Sequence, residues 1–358
     1  MGKNFLVIDD SALMRRVISD IIKQNSECDV LDVAADGVDG LDKIIAHPKY
    51  YDLIFLDFNM PRMNGLEVLE HLKKNKIHEA VVVVSTVTTK DAAETMKALE
   101  LGALDFITKP ENFYEVRGEG FKTAMVNMIN LITGRDYNRN RVVNVPKPAP
   151  VYVNDNIKSV PHKAKGSNRL VAIACSTGGP KSLQQVIPLL PENLAAPVVL
   201  VQHMPRGFTE SLANRLADLS KIKVSEAVDG EILENGHVYI APGGIHMEIA
   251  YENGNHIVRY NDAPSVDGLK PCANIMYESL LNSCYDNIIC VVLTGMGSDG
   301  TKGIRKLSEG KHTYVIGQEE HSCVVYGMPR SLFEAGLTDE VRPLEEIAQS
   351  IIRNVGVS

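Results

Sequence analysis

The residues with the clearest chemical potential lie in Cys175-Ser176-Thr177-Gly178-Gly179-Pro180. This stretch follows the apolar run Leu170-Val171-Ala172-Ile173-Ala174 and precedes a segment of helical spacing, Lys181 to Leu190. A serine at a tight strand-to-helix turn presents its hydroxyl, and the free N–H groups of the helix start can receive developing negative charge. That setting suits an acyl-transfer nucleophile; a phosphate-binding nest and an ordinary helix cap are the alternatives for the same turn. A serine hydroxyl is protonated near neutrality and needs a base. His203 closes the run Val198-Val199-Leu200-Val201-Gln202 and precedes Met204-Pro205, which brings it to the same strand edge. His246, after Ala241-Pro242-Gly243-Gly244, competes for that role or shapes the cleft.

An orienting acid is offered by Leu293-Thr294-Gly295-Met296-Gly297-Ser298-Asp299-Gly300, which also follows a strand and opens a helix. Asp299 can accept Nδ1–H from His203 and leave Nε2 to take the serine proton. The order Ser, His, Asp is not that of α/β-hydrolases, and Ala174 stands where a G-x-S-x-G elbow needs its first glycine. Gly295-x-Gly297-x-x-Gly300 also satisfies the dinucleotide-binding fingerprint, with Glu319 or Glu320 about 20 residues on. Against that rival, Asp299 would set a carboxylate inside the phosphate-binding turn, and the unit comes late in its domain.

A second constellation lies upstream. Asp9 and Asp10 end the first apolar run, Asp57 the third and Ser85 the fourth, and Lys109 follows the fifth, so a parallel sheet gathers them at one edge. Three carboxylates together call for a cation, and a hard, oxygen-seeking ion such as Mg²⁺ also neutralises an incoming phosphoryl group. Singly each has a plain structural reading: Asp10 and Ser11 as helix caps, Asp57 in a turn, Lys109 as a solvated charge.

The elements that must position these groups follow from periodicity. Strands are expected at Phe5-Asp9, Val30-Ala34, Leu53-Asp57, Ala80-Ser85 and Asp105-Thr108. Leu13, Val17 and Ile21 recur at helical spacing, as do Leu66, Leu69 and Leu72. This predicts an N-terminal flavodoxin-like α/β domain with a five-stranded parallel sheet over residues 1–133. Residues 134–168, interrupted by Pro146, Pro148, Pro150 and Pro161 and rich in Lys and Arg, read as a linker. A second α/β domain, doubly wound and mostly parallel, is expected over 169–358. Its strands are Leu170-Cys175, Val198-His203, Val238-Ala241 and Ile288-Thr294, and its helices lie near 181–190, 208–219, 272–283, 300–308 and 344–354.

Composition limits the function class. With 44% hydrophobic and 23% charged residues the chain can bury two cores, and a net charge of -8 argues against a nucleic-acid partner. No apolar run reaches membrane-spanning length, and Met1-Gly2-Lys3-Asn4-Phe5-Leu6 fits neither a signal peptide nor a myristoylation pattern. Six cysteines without C-x-x-C spacing read as reduced and mostly buried thiols, so a cytoplasmic location is expected.

Residues 1 to about 133 resemble the receiver domain of two-component response regulators. The likeness rests on Phe5-Leu6-Val7-Ile8-Asp9-Asp10-Ser11, Leu56-Asp57-Phe58-Asn59-Met60-Pro61, Gly65, Ser85 and Gly102-Ala103-Leu104-Asp105-Phe106-Ile107-Thr108-Lys109-Pro110. The resemblance implies that Asp57 accepts a phosphoryl group from a histidine kinase. It further implies that Asp10, Asp57 and the Asn59 carbonyl hold Mg²⁺, with Asp9 acting through water. Ser85 and Lys109 would contact the phosphoryl oxygens, and Phe106 would be the aromatic switch residue.

Residues 169–355 are similar to the catalytic domain of chemotaxis protein-glutamate methylesterases. The matching pieces are Ser176-Thr177-Gly178-Gly179-Pro180, Gln202-His203-Met204-Pro205, Gly207-Phe208-Thr209, Ala241-Pro242-Gly243 with His246, Pro264-Ser265-Val266-Asp267, Gly295 to Gly300, and Gly327-Met328-Pro329. The resemblance implies a Ser176, His203, Asp299 triad, with Thr177 and the backbone around Met296 as oxyanion candidates. It also implies hydrolysis of glutamate γ-methyl esters on chemoreceptors, deamidation of receptor glutamines, and no cofactor for the esterase chemistry. Two departures stand out: Ala174-Cys175 in place of Gly-Ala before the serine, and Gly268-Leu269-Lys270-Pro271 in place of a more apolar stretch.

Overall fold

A computed structural model of the chain describes residues 2–86, 89–110, 119–134 and 168–357, so nearly all of the expected linker lies outside the described residues. The chain divides into two compact units, Met1–Asn144 and Val145–Ser358.

In the first unit, β1 (Lys3–Ile8), β2 (Cys28–Ala34), β3 (Leu53–Asp57), β4 (Val81–Ser85) and β5 (Asp105–Thr108) form a parallel sheet in the order β2-β1-β3-β4-β5. The central strands carry unbroken apolar runs, Phe5-Leu6-Val7-Ile8, Leu53-Ile54-Phe55-Leu56 and Val81-Val82-Val83-Val84, because helices cover both faces. Helices α1 (Ala12–Asn25), α2 (Gly37–Ala46), α3 (Gly65–Lys74), α4 (Thr89–Leu101) and α5 (Glu119–Thr133) complete the unit. Ser11 caps α1, Asp36 caps α2, and Asn64 with Glu67 forms a capping box on α3. The chain leaves β1 toward β2 and returns past it to β3, so a crevice opens between the carboxyl ends of β1 and β3.

In the second unit, β6 (Arg169–Cys175), β7 (Val198–Gln202), β8 (Lys223–Glu226), β9 (His237–Ile240), β12 (Asn287–Val292), β13 (His312–Gln318) and β14 (Glu340–Arg342) form a seven-stranded sheet, parallel throughout, in the order β14-β13-β12-β6-β7-β9-β8. The chain runs from β6 to β7 on one side and later places β12 on the other, so β6 marks the point where the winding reverses. Ser176, His203 and the 293–300 turn follow the ends of these three neighbouring strands. An antiparallel hairpin, β10 (His246–Glu252) and β11 (Asn255–Asn261), stands apart and turns at Asn253 and Gly254, both with positive φ (50° and 85°). Helices α6 (Gly179–Val186), α7 (Phe208–Leu219), α8 (Ala273–Ser279), α9 (Thr301–Gly310), α10 (Met328–Glu334) and α11 (Leu344–Val355) flank the sheet.

Most expected elements are present with shifted ends. The helix expected to Leu190 stops as an α-helix at Val186 and tightens into a 3₁₀ turn, because Pro188 cannot donate into the ladder. The helix expected over 272–283 becomes a 3₁₀ turn after Ser279. Four of the six cysteines are buried, Cys28 is half-buried and Cys284 is exposed. No helix among the described residues is long and apolar enough to cross a membrane.

Candidate active site and acidic pocket

Ser176 sits one residue beyond β6, half-buried, and Gly178 in a left-handed conformation (φ 77°) starts α6. Backbone bonds fix the turn on both sides. The Ser176 N–H donates to Thr294 O at 3.0 Å, and the His203 N–H donates to Cys175 O at 3.1 Å. The Thr294 hydroxyl donates to Thr177 O at 3.0 Å, so Thr177 is tied to the same turn. Gly295 is forced by closeness: a Cβ there would lie 2.8 Å from Ser176 Cβ and 2.4 Å from Met328 Sδ. Met296, next to it, is exposed beside the serine turn.

His203 and Asp299 are paired, with Nε2 to Oδ2 at 2.7 Å. This corrects the expected Nδ1 pairing. Asp299 is anchored by the N–H groups of Ala273 and Asn274 at the start of α8, and the distal ring nitrogen is the one that reaches it. Nδ1 is buried and has no hydrogen-bond partner among the described residues. A ring that donates Nε2–H to a carboxylate carries its lone pair on Nδ1, so Nδ1 is the basic nitrogen.

The Asp299 carboxylate takes five donors. Oδ2 accepts from His203 and from Ala273 N (2.6 Å), while Oδ1 accepts from Asn274 N (2.9 Å), Gly300 N (2.9 Å) and Cys272 Sγ (3.2 Å). Burial alone would raise its pKa, but the His203 hydrogen bond and charge, with the Ala273 and Asn274 amides, prevail and hold it at about 2. Asp299 thus also caps α8, whose own N-cap residue, Cys272, supplies no side-chain cap. Asn274 returns the arrangement, since its Oδ1 accepts from Gly300 N (3.0 Å) and Gly303 N (2.7 Å) at the start of α9.

The same contacts decide two open readings. The carboxylate of Asp299 occupies the amide of Gly300, where a dinucleotide phosphate would have to sit, so the fingerprint match at 295–300 is not a phosphate cradle. His246 is fully buried with both nitrogens engaged, Nδ1 accepting from Cys272 N at 3.1 Å and Nε2 donating to Pro264 O at 3.1 Å. It is a structural post for the start of α8. The departure at 268–271 begins inside a tight turn over 266–269, with Val266 and Leu269 exchanging backbone bonds of 3.1 and 2.9 Å around Asp267 and Gly268, both at positive φ.

In the first unit, ligand oxygens of Asp9, Asp10 and Asp57 lie within 4.8 Å of one another. Asp9 and Asp57 are buried and Asp10 is exposed at the rim. Lys109 reaches Asp9 and Asp57, each at 2.8 Å. Burial raises the Asp57 pKa to about 6, with Asp9 adding repulsion and Lys109 opposing both. Burial alone would lower the Lys109 pKa, yet the two carboxylates raise it. One ammonium against three carboxylates, all donors being oxygen, fits a hard divalent cation. Ser85 ends β4, buried, its hydroxyl accepting from Thr95 Oγ1 at 3.3 Å; Phe106 is half-buried on β5, and Asn59 is exposed two residues after Asp57.

Sequence reasoning did not single out Gln202, Cys272 or Asn274 for a role. Their signal is slight: polar or thiol side chains where a strand ends or a helix starts.

Residues 171–351 match the CheB methylesterase family and residues 5–118 the response regulator receiver domain family. A protein-glutamate methylesterase/protein-glutamine glutaminase of Geobacillus kaustophilus is 40% identical, covering 98% of each chain. One of Desulfotalea psychrophila is also 40% identical, again over 98% of each. The crystal structure of the Thermotoga maritima CheB methylesterase catalytic domain is 42% identical, with a TM-score of 0.51, covering 53% of this chain and all of that one.

Proposed function

The chain belongs to the protein-glutamate methylesterase/protein-glutamine glutaminase family, and from that membership we propose that Ser176, His203 and Asp299 hydrolyse glutamate γ-methyl esters on chemoreceptor cytoplasmic domains. The observation that carries this reading is the His203–Asp299 pair at 2.7 Å, with a buried, unpartnered Nδ1, on the strand edge that also bears Ser176. His203 Nδ1 takes the proton as Ser176 Oγ attacks the ester carbonyl. The tetrahedral oxyanion faces the backbone of Thr177 and Met296. Collapse expels methanol, which leaves with the His203 proton. Water then attacks the acyl-enzyme by the same base and releases glutamate and Ser176. Asp299 stays ionised throughout and stabilises the imidazolium. Glutamine deamidation follows the same course with ammonia leaving.

In the receiver unit Asp57 accepts the phosphoryl group from a histidine kinase. Asp10, Asp57 and the Asn59 carbonyl would hold Mg²⁺, with Asp9 acting through water; the ion would supply positive charge opposite the transferred oxygens. Lys109 and Ser85 then meet the phosphoryl group, and Phe106 reports its presence. We assign the receiver to residues 1–133, the linker to 134–168 and the esterase to 169–358, in a cytoplasmic protein. Phosphorylation raises esterase activity.

Methanol release from methylated receptor membranes by wild type, Ser176→Ala and Asp57→Asn, with a phosphodonor present, tests both halves. Ser176→Ala is expected to release none, and Asp57→Asn to keep a basal rate that the phosphodonor cannot raise. A serine-directed fluorophosphonate that still labels Ser176→Ala would refute the nucleophile.

A further inference from the structure

We propose that the buried Cys175–Gln202 pair is a positioning device that holds Ser176 and His203 in mutual register; it rests on the nucleophile and base assigned above. Gln202 ends β7 beside Cys175, the last residue of β6, and the two are register partners in the sheet. Its side chain is 2% exposed. From there Nε2 donates to Ser176 O at 3.0 Å and to His203 O at 3.2 Å, so one amide nitrogen bridges the backbone of both residues.

The orientation of that amide is determined by its surroundings. Two carbonyl oxygens can only accept, so the NH₂ must face them and Oε1 must face the other way. Cys175 Sγ lies 3.0 Å from Oε1, whereas its other acceptor, Val201 O, is at 3.9 Å. Full burial raises the thiol pKa, so the sulfur carries the proton that Oε1 needs. Gly179 completes the fit: a Cβ there would fall 2.0 Å from Oε1 and 3.1 Å from Cys175 Cβ.

The departure before the serine therefore has a role. Cys175 is not a second nucleophile, being buried and protonated; it satisfies the one acceptor of Gln202 that would otherwise be stranded in the core. Neither side chain touches the reacting atoms. Both act through the backbone of residues whose relative placement sets the reaction geometry, where a misplacement of about 1 Å costs on the order of 100-fold.

The test uses full-length wild type, Gln202→Met, Cys175→Ala and Cys175→Ser. For each, kcat and KM for methanol release, the fluorophosphonate labelling rate of Ser176 and the thermal midpoint are measured. Gln202→Met is expected to lower kcat and the labelling rate together by about 10- to 100-fold with KM within about twofold. Cys175→Ala is expected to lower both by about three- to tenfold, and Cys175→Ser, which keeps a donor, to recover most of that loss. A lowered thermal midpoint with kcat per folded molecule unchanged in Gln202→Met and Cys175→Ala overturns the proposal. If Gln202→Met does not fold, the Cys175→Ala and Cys175→Ser pair decides alone, and equal kcat in the two overturns it. Wild type that fails to label at Ser176 instead removes the nucleophile reading beneath it.

Discussion

Asp299→Asn changes charge while keeping shape at the acid of the proposed triad. The carboxylate accepts from His203 Nε2 and Ala273 N on one oxygen, and from Asn274 N, Gly300 N and Cys272 Sγ on the other. An amide has one accepting end, so its NH₂ must oppose two donors or three. The two-donor side is favoured, because His203 can relieve its half of the clash by moving its proton to Nδ1. That move places the proton on the nitrogen that should receive one from Ser176. An acid-to-amide change of this kind in a Ser-His-Asp triad costs about 10⁴-fold in kcat, or about 5.5 kcal/mol of transition-state stabilisation. The Ala273 N–H is left unpaired, which costs about 1–3 kcal/mol of folding stability. Against a usual total of about 5–15 kcal/mol, the variant remains folded, so its inactivity is chemical. Methanol release near pH 7, with thermal unfolding recorded on the same preparations, measures both quantities. A folded Asp299→Asn protein within about tenfold of wild-type kcat would refute the tautomer argument.

His237, almost fully buried with Nε2 2.7 Å from Ser225 Oγ, has its pKa lowered to about 4, by burial first and then by the Lys223 charge. The neutral form is favoured in the fold, so this stability is intact above about pH 6.5 and is lost as pH falls toward 4. The loss is about 3 kcal/mol, and His237→Asn should flatten denaturant midpoints measured across that window. Gly295→Ala forces a methyl against Ser176 and Met328, and is expected to lower kcat by about 100-fold while stability falls by about 1–3 kcal/mol; an active, folded variant would contradict the close approach. His246→Phe strands Cys272 N–H and Pro264 O and should lower the thermal midpoint through about 1–3 kcal/mol per stranded group. If kcat per folded molecule instead drops to the Ser176→Ala level, His246 is the base after all.

The strand-end logic of parallel sheets made much of both sites legible. Asp57, Ser85, Ser176 and His203 stand at or just beyond the carboxyl end of an apolar run, and Asp299 opens a helix. The choice of ring nitrogen was not legible, because it depends on Asp299 being drawn to the start of α8, a tertiary contact. Gln202 and Asn274 were hidden for the same reason: one acts through the register of β6 with β7, the other through packing of α8 on α9. In β14, three residues are too few to show a period, and β13 begins with the half-polar His312-Thr313-Tyr314. The hairpin β10–β11 did carry a local signal in Asn253-Gly254, a residue pair suited to a turn with both φ values positive.

The exchange of caps between Asp299 and Asn274 limits where this enzyme can be controlled. Withdrawing the acid from His203 would uncover the start of α8 and loosen the start of α9 in the same motion, so a disarmed triad inside an intact hydrolase is a costly state. A regulator that works within a few kcal/mol gains more by governing what reaches Ser176 than by dismantling what stands behind it. The proposed triad is in this sense a by-product of folding, complete whenever the domain is, and its control is expected to lie in access to Ser176.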